Sequence, residues 1–157
     1  MKAAILTIFI SLLISTTMEA QNNNNQQKTN PKFNDISPFG YSEYVEINLG
    51  ASKMVILSGQ LALDEKGNTV GLGNFEVQAD YIFSNIKKIL EKAGGSMNNI
   101  VKLNNYFVNI KNLPAYRTIR NKYIDTKHPP AQTSVEVKQL FSSDVLLEVE
   151  VTAIINN

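Results

Sequence analysis

The sequence predicts an α+β fold: a mixed sheet of about six strands with two helices packed on one of its faces. Three observations carry this. Short runs of alternating apolar and polar residues open and close the chain, two longer segments repeat apolar residues at helical spacing, and one run, Met54 to Leu57, is apolar on both sides.

The elements follow in order. "YVEINLG" (Tyr44 to Gly50) alternates and ends at a glycine turn, so it reads as a strand. "KMVILSGQ" (Lys53 to Gln60) reads as a strand buried on both faces, because Met54, Val55, Ile56 and Leu57 are all apolar. "LDEKGN" (Leu63 to Asn68) is a turn with Gly67 as its left-handed residue. Asn74 is placed to cap a helix running to about Ala93. Ile82, Phe83, Ile86, Ile89, Leu90 and Ala93 form one apolar face of it. Glu76 in its first turn and Lys92 in its last suit the helix dipole, and Gly94 and Gly95 stop it.

"NNIVKLNNYFVN" reads as a strand with Val101, Leu103 and Phe107 on one face. A second helix starts near Pro114, buries Tyr116, Ile119, Tyr123 and Ile124, and ends at Pro129 and Pro130. "QTSVEVKQL" and "VLLEVEVTAI" close the chain as strands.

Two helices cover one face of a sheet, yet the run from Met54 to Leu57 expects cover on both. With no further chain available, the second face is expected to meet other subunits. In the final strand Leu147, Val149, Val151 and Ala153 point to the helices and Glu148 and Glu150 point away. In the strand before it, Gln132, Ser134 and Glu136 alternate with Thr133, Val135 and Val137. The pattern is read as placing Gln132 on the same inward, oligomeric side as Glu148. The other reading of the alternation is an open, merely solvated face.

Composition excludes several classes. The 157 residues are 43% hydrophobic and 18% charged, with a formal net charge of +1 and no long basic or acidic run, so neither nucleic acid nor a membrane surface is an expected partner. The absence of cysteine excludes disulfides, zinc–thiolate sites and thiol nucleophiles. The single histidine, His128, argues against a multi-histidine metal site.

Residues 1–20, "MKAAILTIFISLLISTTMEA", read as a secretory signal peptide, with an uncleaved anchor as the alternative because Met18 is not small. Residues 21–32, rich in Asn and Gln, read as a disordered linker, and residues 33–157 as the folded domain. The expected location is therefore outside the cytoplasm, periplasmic or secreted.

Within that domain "SGQLALDEKGN", the helix spanning Gln78 to Gly94, "IVKLNNYFVNI", "PAQTSVEV" and "LLEVEVTAI" resemble the RidA/YjgF reactive-intermediate deaminase family, also labelled L-PSP endoribonucleases. The resemblance implies a chorismate-mutase-like fold, a homotrimer, and small-molecule ligands bound in clefts between subunits. It also implies hydrolysis of 2-imino acids, or their enamine tautomers, to 2-keto acids and ammonia without metal or cofactor. Carried over residue by residue, it implies that Glu148 orients the attacking water. It further implies that Tyr41, Ser58, Gly59 and the positions of Arg120, Gln132 and Ser134 border the ligand.

Two positions depart from the family pattern. Gln132, in "PAQT", stands where the family carries an arginine that pairs with the substrate carboxylate, and Arg120, in "RNKY", stands where the family carries an asparagine. A neutral amide cannot neutralise an anion. Two expectations for Arg120 stay open: it restores the charge from another wall of the cleft, or it is a solvated helix residue. Two functions stay open with it, an imine or enamine hydrolase of altered substrate and a non-catalytic trimer that binds a small metabolite. Ribonuclease activity finds little support in so neutral a chain.

Overall fold

The computed structural model describes residues 29–157, so the expected signal peptide and residues 21–28 of the expected linker lie outside the described residues. The elements run β1 (Lys32–Ile36), β2 (Ser42–Asn48), β3 (Ser52–Gln60), α1 (Phe75–Lys92), β4 (Ile100–Phe107), α2 (Leu113–Arg120), β5 (Ala131–Glu136) and β6 (Leu147–Asn156). The sheet order is β1-β2-β3-β6-β4-β5. Every pair is antiparallel except β4 and β5, which are joined through α2 and run parallel. Both helices lie on one face, as the pattern of the sequence requires.

Helix α1 has the expected ends. The Asn74 side chain accepts a hydrogen bond from the Val77 backbone N–H at 3.1 Å, satisfying a donor that the first turn leaves free. Gly94 takes φ +81° beyond the last turn, a conformation that a Cβ would strain. The expected face is buried in full, with Ile82, Phe83, Ile86 and Leu90 at 0% exposure. Opposite them, Leu147, Val149, Val151 and Ala153 of β6 are 0–2% exposed, which anchors β6 in register under the helices. Each such large aliphatic side chain contributes about 1.5–3 kcal/mol by leaving water.

The side chain of Gln78 is fully buried, and both ends of its amide are used. It donates to the Asp144 carbonyl at 2.8 Å and to the Gly71 carbonyl at 3.3 Å, and accepts from the Leu146 N–H at 2.9 Å. It thereby ties α1 to the loop that leads into β6, two residues before Glu148.

Four features differ from the expectations. A strand absent from the sequence pattern, β1, forms the sheet edge; its residues KFNDI give no clean alternation. Val101 is exposed at 44% rather than sharing a face with Leu103 and Phe107. The pairing of β4 with β6 shifts between Ile100 and Lys102, and this bulge turns Val101 outward. Helix α2 stops at Arg120, well short of Pro129. Tight turns follow, with Lys122 N–H on the Ile119 carbonyl and Tyr123 N–H on the Arg120 carbonyl, and these keep Ile124 buried without extending the helix. The fourth difference concerns β5. Its register pairs Leu103 with Gln132 and Asn105 with Ser134. Facing residues of a ladder share a side, and Leu103 and Asn105 are buried toward the helices at 0% and 1% exposure. Gln132 and Ser134 therefore lie on the helix side, and the expectation that Gln132 shares a side with Glu148 is overturned.

In β3, Val55 and Leu57 are buried under the helices, while Ile56, on the other side of the sheet, remains 39% exposed. In the single chain the second face of this apolar strand is open.

Candidate functional site

The residues singled out by sequence fall into two groups on opposite faces of the sheet. The first group is on the open face. The register sets Tyr106 beside Glu148 and Asn104 beside Glu150. Glu150 is held, accepting from the Tyr106 hydroxyl at 3.0 Å and from Asn104 Nδ2 at 3.2 Å. Glu148 takes part in no side-chain hydrogen bond or ion pair among the described residues. Partial burial, and then the negative charge of neighbouring Glu150, push its carboxyl above the usual carboxylate range.

Gly59 explains how that carboxylate is accommodated. A Cβ on Gly59 would lie 1.9 Å from Glu148 Oε1, so the side chain occupies space that only glycine leaves open. The pairing of β3 with β6 is irregular between Leu57 and Gln60, and this bulge presents Gly59 toward Glu148. Ser58 donates its hydroxyl to the Ser42 carbonyl at 2.6 Å, pinning the bulge to β2. Tyr41, 55% exposed, precedes that same Ser42. The open-face group thus consists of an unpartnered carboxylate over a glycine, with Ser58 beside it and Tyr41 at the rim of β2.

A substitution follows from this contact. Gly59→Ala should displace the flexible end of Glu148 rather than the backbone. The melting temperature is expected to change little while any Glu148-dependent activity drops severalfold or more; a variant with full activity would show that the carboxylate works from another position.

The second group is on the helix face at the β5 edge. Arg120, at the end of α2, donates from Nη1 to Gln132 Oε1. Gln132 Nε2 donates to Ser134 Oγ at 3.1 Å. Asn105 Nδ2 donates to the same Ser134 oxygen at 3.3 Å and to the Thr133 carbonyl at 2.8 Å. The buried Tyr116 hydroxyl donates to Asn105 Oδ1. Burial pushes that hydroxyl's pKa well above the ordinary range, so it stays a donor. The result is a continuous chain from Arg120 through Gln132, Ser134 and Asn105 to Tyr116. Both ends of the Gln132 amide are engaged, so within one chain Gln132 serves as a dock for a guanidinium.

Asn105 and Tyr116 join this chain although the sequence pattern does not single them out. Asn105 did carry a signal: it falls between Leu103 and Phe107 at the period of two, a polar residue on a buried face. The spacing of Tyr116 marks it only as core, because nothing in that spacing shows where a hydroxyl goes.

The layered fold corresponds to the class of small α+β proteins typified by the YjgF proteins. A YjgF-family structure from Neisseria meningitidis superposes with a TM-score of 0.69 at 18% identity, covering 82% of this chain and 98% of that one, which establishes the fold. The family model for endoribonuclease L-PSP matches residues 35–155. A RutC family protein of Saccharolobus solfataricus is 36% identical over 117 residues, covering 74% of this chain and 88% of that protein. A protein of Dermatophagoides farinae named 2-iminobutanoate/2-iminopropanoate deaminase is 29% identical over 104 residues, covering 66% of this chain and 77% of its own. The chain belongs to the RidA/YjgF (endoribonuclease L-PSP) family.

Proposed function

We propose that the protein hydrolyses a reactive imine or enamine to a carbonyl compound and ammonia, in clefts between the subunits of a homotrimer. The observation that carries this reading is Glu148: a half-buried carboxylate with a raised pKa, free of hydrogen-bond partners among the described residues and seated over a glycine. Such a group is suited to take a proton from water. The deaminase name of the Dermatophagoides relative points to the same chemistry.

In the proposed reaction Glu148 removes a proton from a water whose oxygen attacks the C=N carbon. The nitrogen takes up a proton, giving a carbinolamine. A further proton transfer to nitrogen, with Glu148 cycling between its two states, lets the C–N bond break as the C=O bond forms and ammonia leaves. No electrons are exchanged.

A trimer is part of the proposal because the two polar groups lie on opposite faces of one sheet. The open face of one copy, carrying Glu148, Gly59, Ser58 and Tyr41, would meet the β5 edge of the next, carrying Arg120, Gln132 and Ser134. Export is also part of it, on the strength of residues 1–20.

One preparation tests all three. The full chain is expressed in a bacterium, and material released from the periplasm or medium is analysed by intact and native mass spectrometry. A mature chain starting near Gln21 and a trimeric mass are expected, together with faster ammonia release from 2-imino acids made in situ by an amino-acid oxidase. Tight binding of the acid products without turnover would replace the hydrolase reading by that of a ligand-binding trimer.

A further inference from the structure

The guanidinium of Arg120 has an unusual set of partners. Its Nε and Nη2 both donate to Asn121 Oδ1, at 3.2 and 2.8 Å, and its Nη1 donates to Gln132 Oε1. Both acceptors of these three hydrogen bonds belong to neutral amides. Among the described residues no carboxylate forms an ion pair with Arg120. The Tyr116 ring, 5.9 Å from the guanidinium carbon, adds an apolar wall. A guanidinium carries five N–H bonds. Three are spent on Asn121 and Gln132, which leaves one on each terminal nitrogen. The cation is held in place by groups that leave its charge unbalanced.

Ser134 extends this donor set. Its oxygen accepts from both Gln132 and Asn105, filling its two lone pairs, and its own O–H has no partner among the described residues.

We propose that Arg120, docked on Gln132 and Asn121, is the specificity-determining residue of the site and selects substrates that carry a carboxylate. Two N–H groups on the terminal nitrogens match the two oxygens of a carboxylate, and such charge-assisted pairs are stronger than neutral ones. The two amides hold the guanidinium before a ligand arrives, so little side-chain entropy remains to be lost on binding. Gln132 acts as a positioning residue: its carbonyl fixes Nη1 and its amide N–H fixes Ser134. The positive charge is thereby delivered from the end of α2 rather than from β5. This proposal rests on the hydrolase reading for the identity of the site, but it concerns recognition of the anion.

Binding is measured calorimetrically on the purified mature protein with two probes, 2-oxobutanoate and its neutral amide 2-oxobutanamide. The wild type is expected to prefer the acid by roughly ten- to hundredfold, the effect of one charge-assisted contact. Arg120→Gln should abolish the preference, Arg120→Lys should keep part of it, and added salt should weaken only the acid. The lysine variant guards against a folding defect in the glutamine variant. A preference that survives in Arg120→Gln, or a wild type that binds the acid no better than the amide, overturns the proposal. An Arg120-dependent preference without imine turnover would remove only the hydrolase reading; turnover with no dependence on Arg120 would remove only this one.

Discussion

Glu148→Gln is expected to lower kcat for imine hydrolysis by about 10²–10⁴, the usual worth of a positioned general base. The amide keeps the size of the side chain and still fits over Gly59, so the loss reads the proton-accepting function rather than packing. Because burial and Glu150 raise the pKa of Glu148, the wild-type rate should fall as pH drops through that raised value, when the base becomes protonated. This acidic limb should be missing from the residual activity of the variant. Stability moves the opposite way. A carboxyl whose folded pKa lies above its unfolded one stabilises the fold below the unfolded value, and that contribution is lost as pH rises through the folded value. Ionised Glu148 therefore weakens the fold at neutral pH. The glutamine variant should melt slightly higher than wild type at pH 7 and no higher in acid, measured by thermal denaturation. Unchanged turnover would move the chemistry to another group.

The second large effect is expected from exchanging residues 120 and 132. Arg120→Asn alone removes the guanidinium docked on Gln132 and should cost roughly ten- to hundredfold in kcat/KM on a 2-imino acid. Gln132→Arg alone places a second guanidinium against the first, in a partly buried setting where like charges repel. It should also impair activity and lower the melting temperature. Together the two substitutions restore one amide and one guanidinium with their places exchanged, so the double variant should be more active than either single variant. Neighbours in one hydrogen-bond chain do not add, and the coupling is read from a double-mutant cycle. If each single substitution is harmless, or if their effects simply sum, the two side chains do not act as a unit.

Much of the fold was legible in the sequence because burial is periodic. The faces of α1 and β6 follow directly from residues such as Ile82, Phe83 and Ile86, or Leu147, Val149 and Val151. Legibility failed where pairing rather than pattern decides. Gln132 and Thr133 alternate equally well with either one facing the helices, and only the parallel register with Leu103 settles the matter. Val101 is displaced by a bulge, a local event of one residue that periodicity averages away. Tyr123 and Ile124 keep helical spacing although the chain there is a series of turns, since a turn can also bury an apolar side chain. At the site, Glu148 was visible as a carboxylate on a strand's polar side. The link between Arg120 and Gln132 was not, because residues twelve apart touch only once α2 has been folded over β5.

The placement of Glu148 and Arg120 on opposite faces has a consequence for how the protein behaves in a population of molecules. If one cleft draws its base from one chain and its cation from another, no isolated chain owns a working site. Activity then becomes a property of assembly: on dilution it falls more steeply than the amount of protein. Two inactive variants, one lacking the base and one lacking the cation, can also rescue each other. Random mixing of equal amounts would leave about a quarter of the clefts with both halves intact, as closed heterologous rings require. A lesion in either half would be masked in a cell that makes both chains, and a defect that weakens assembly would resemble the loss of a catalytic residue.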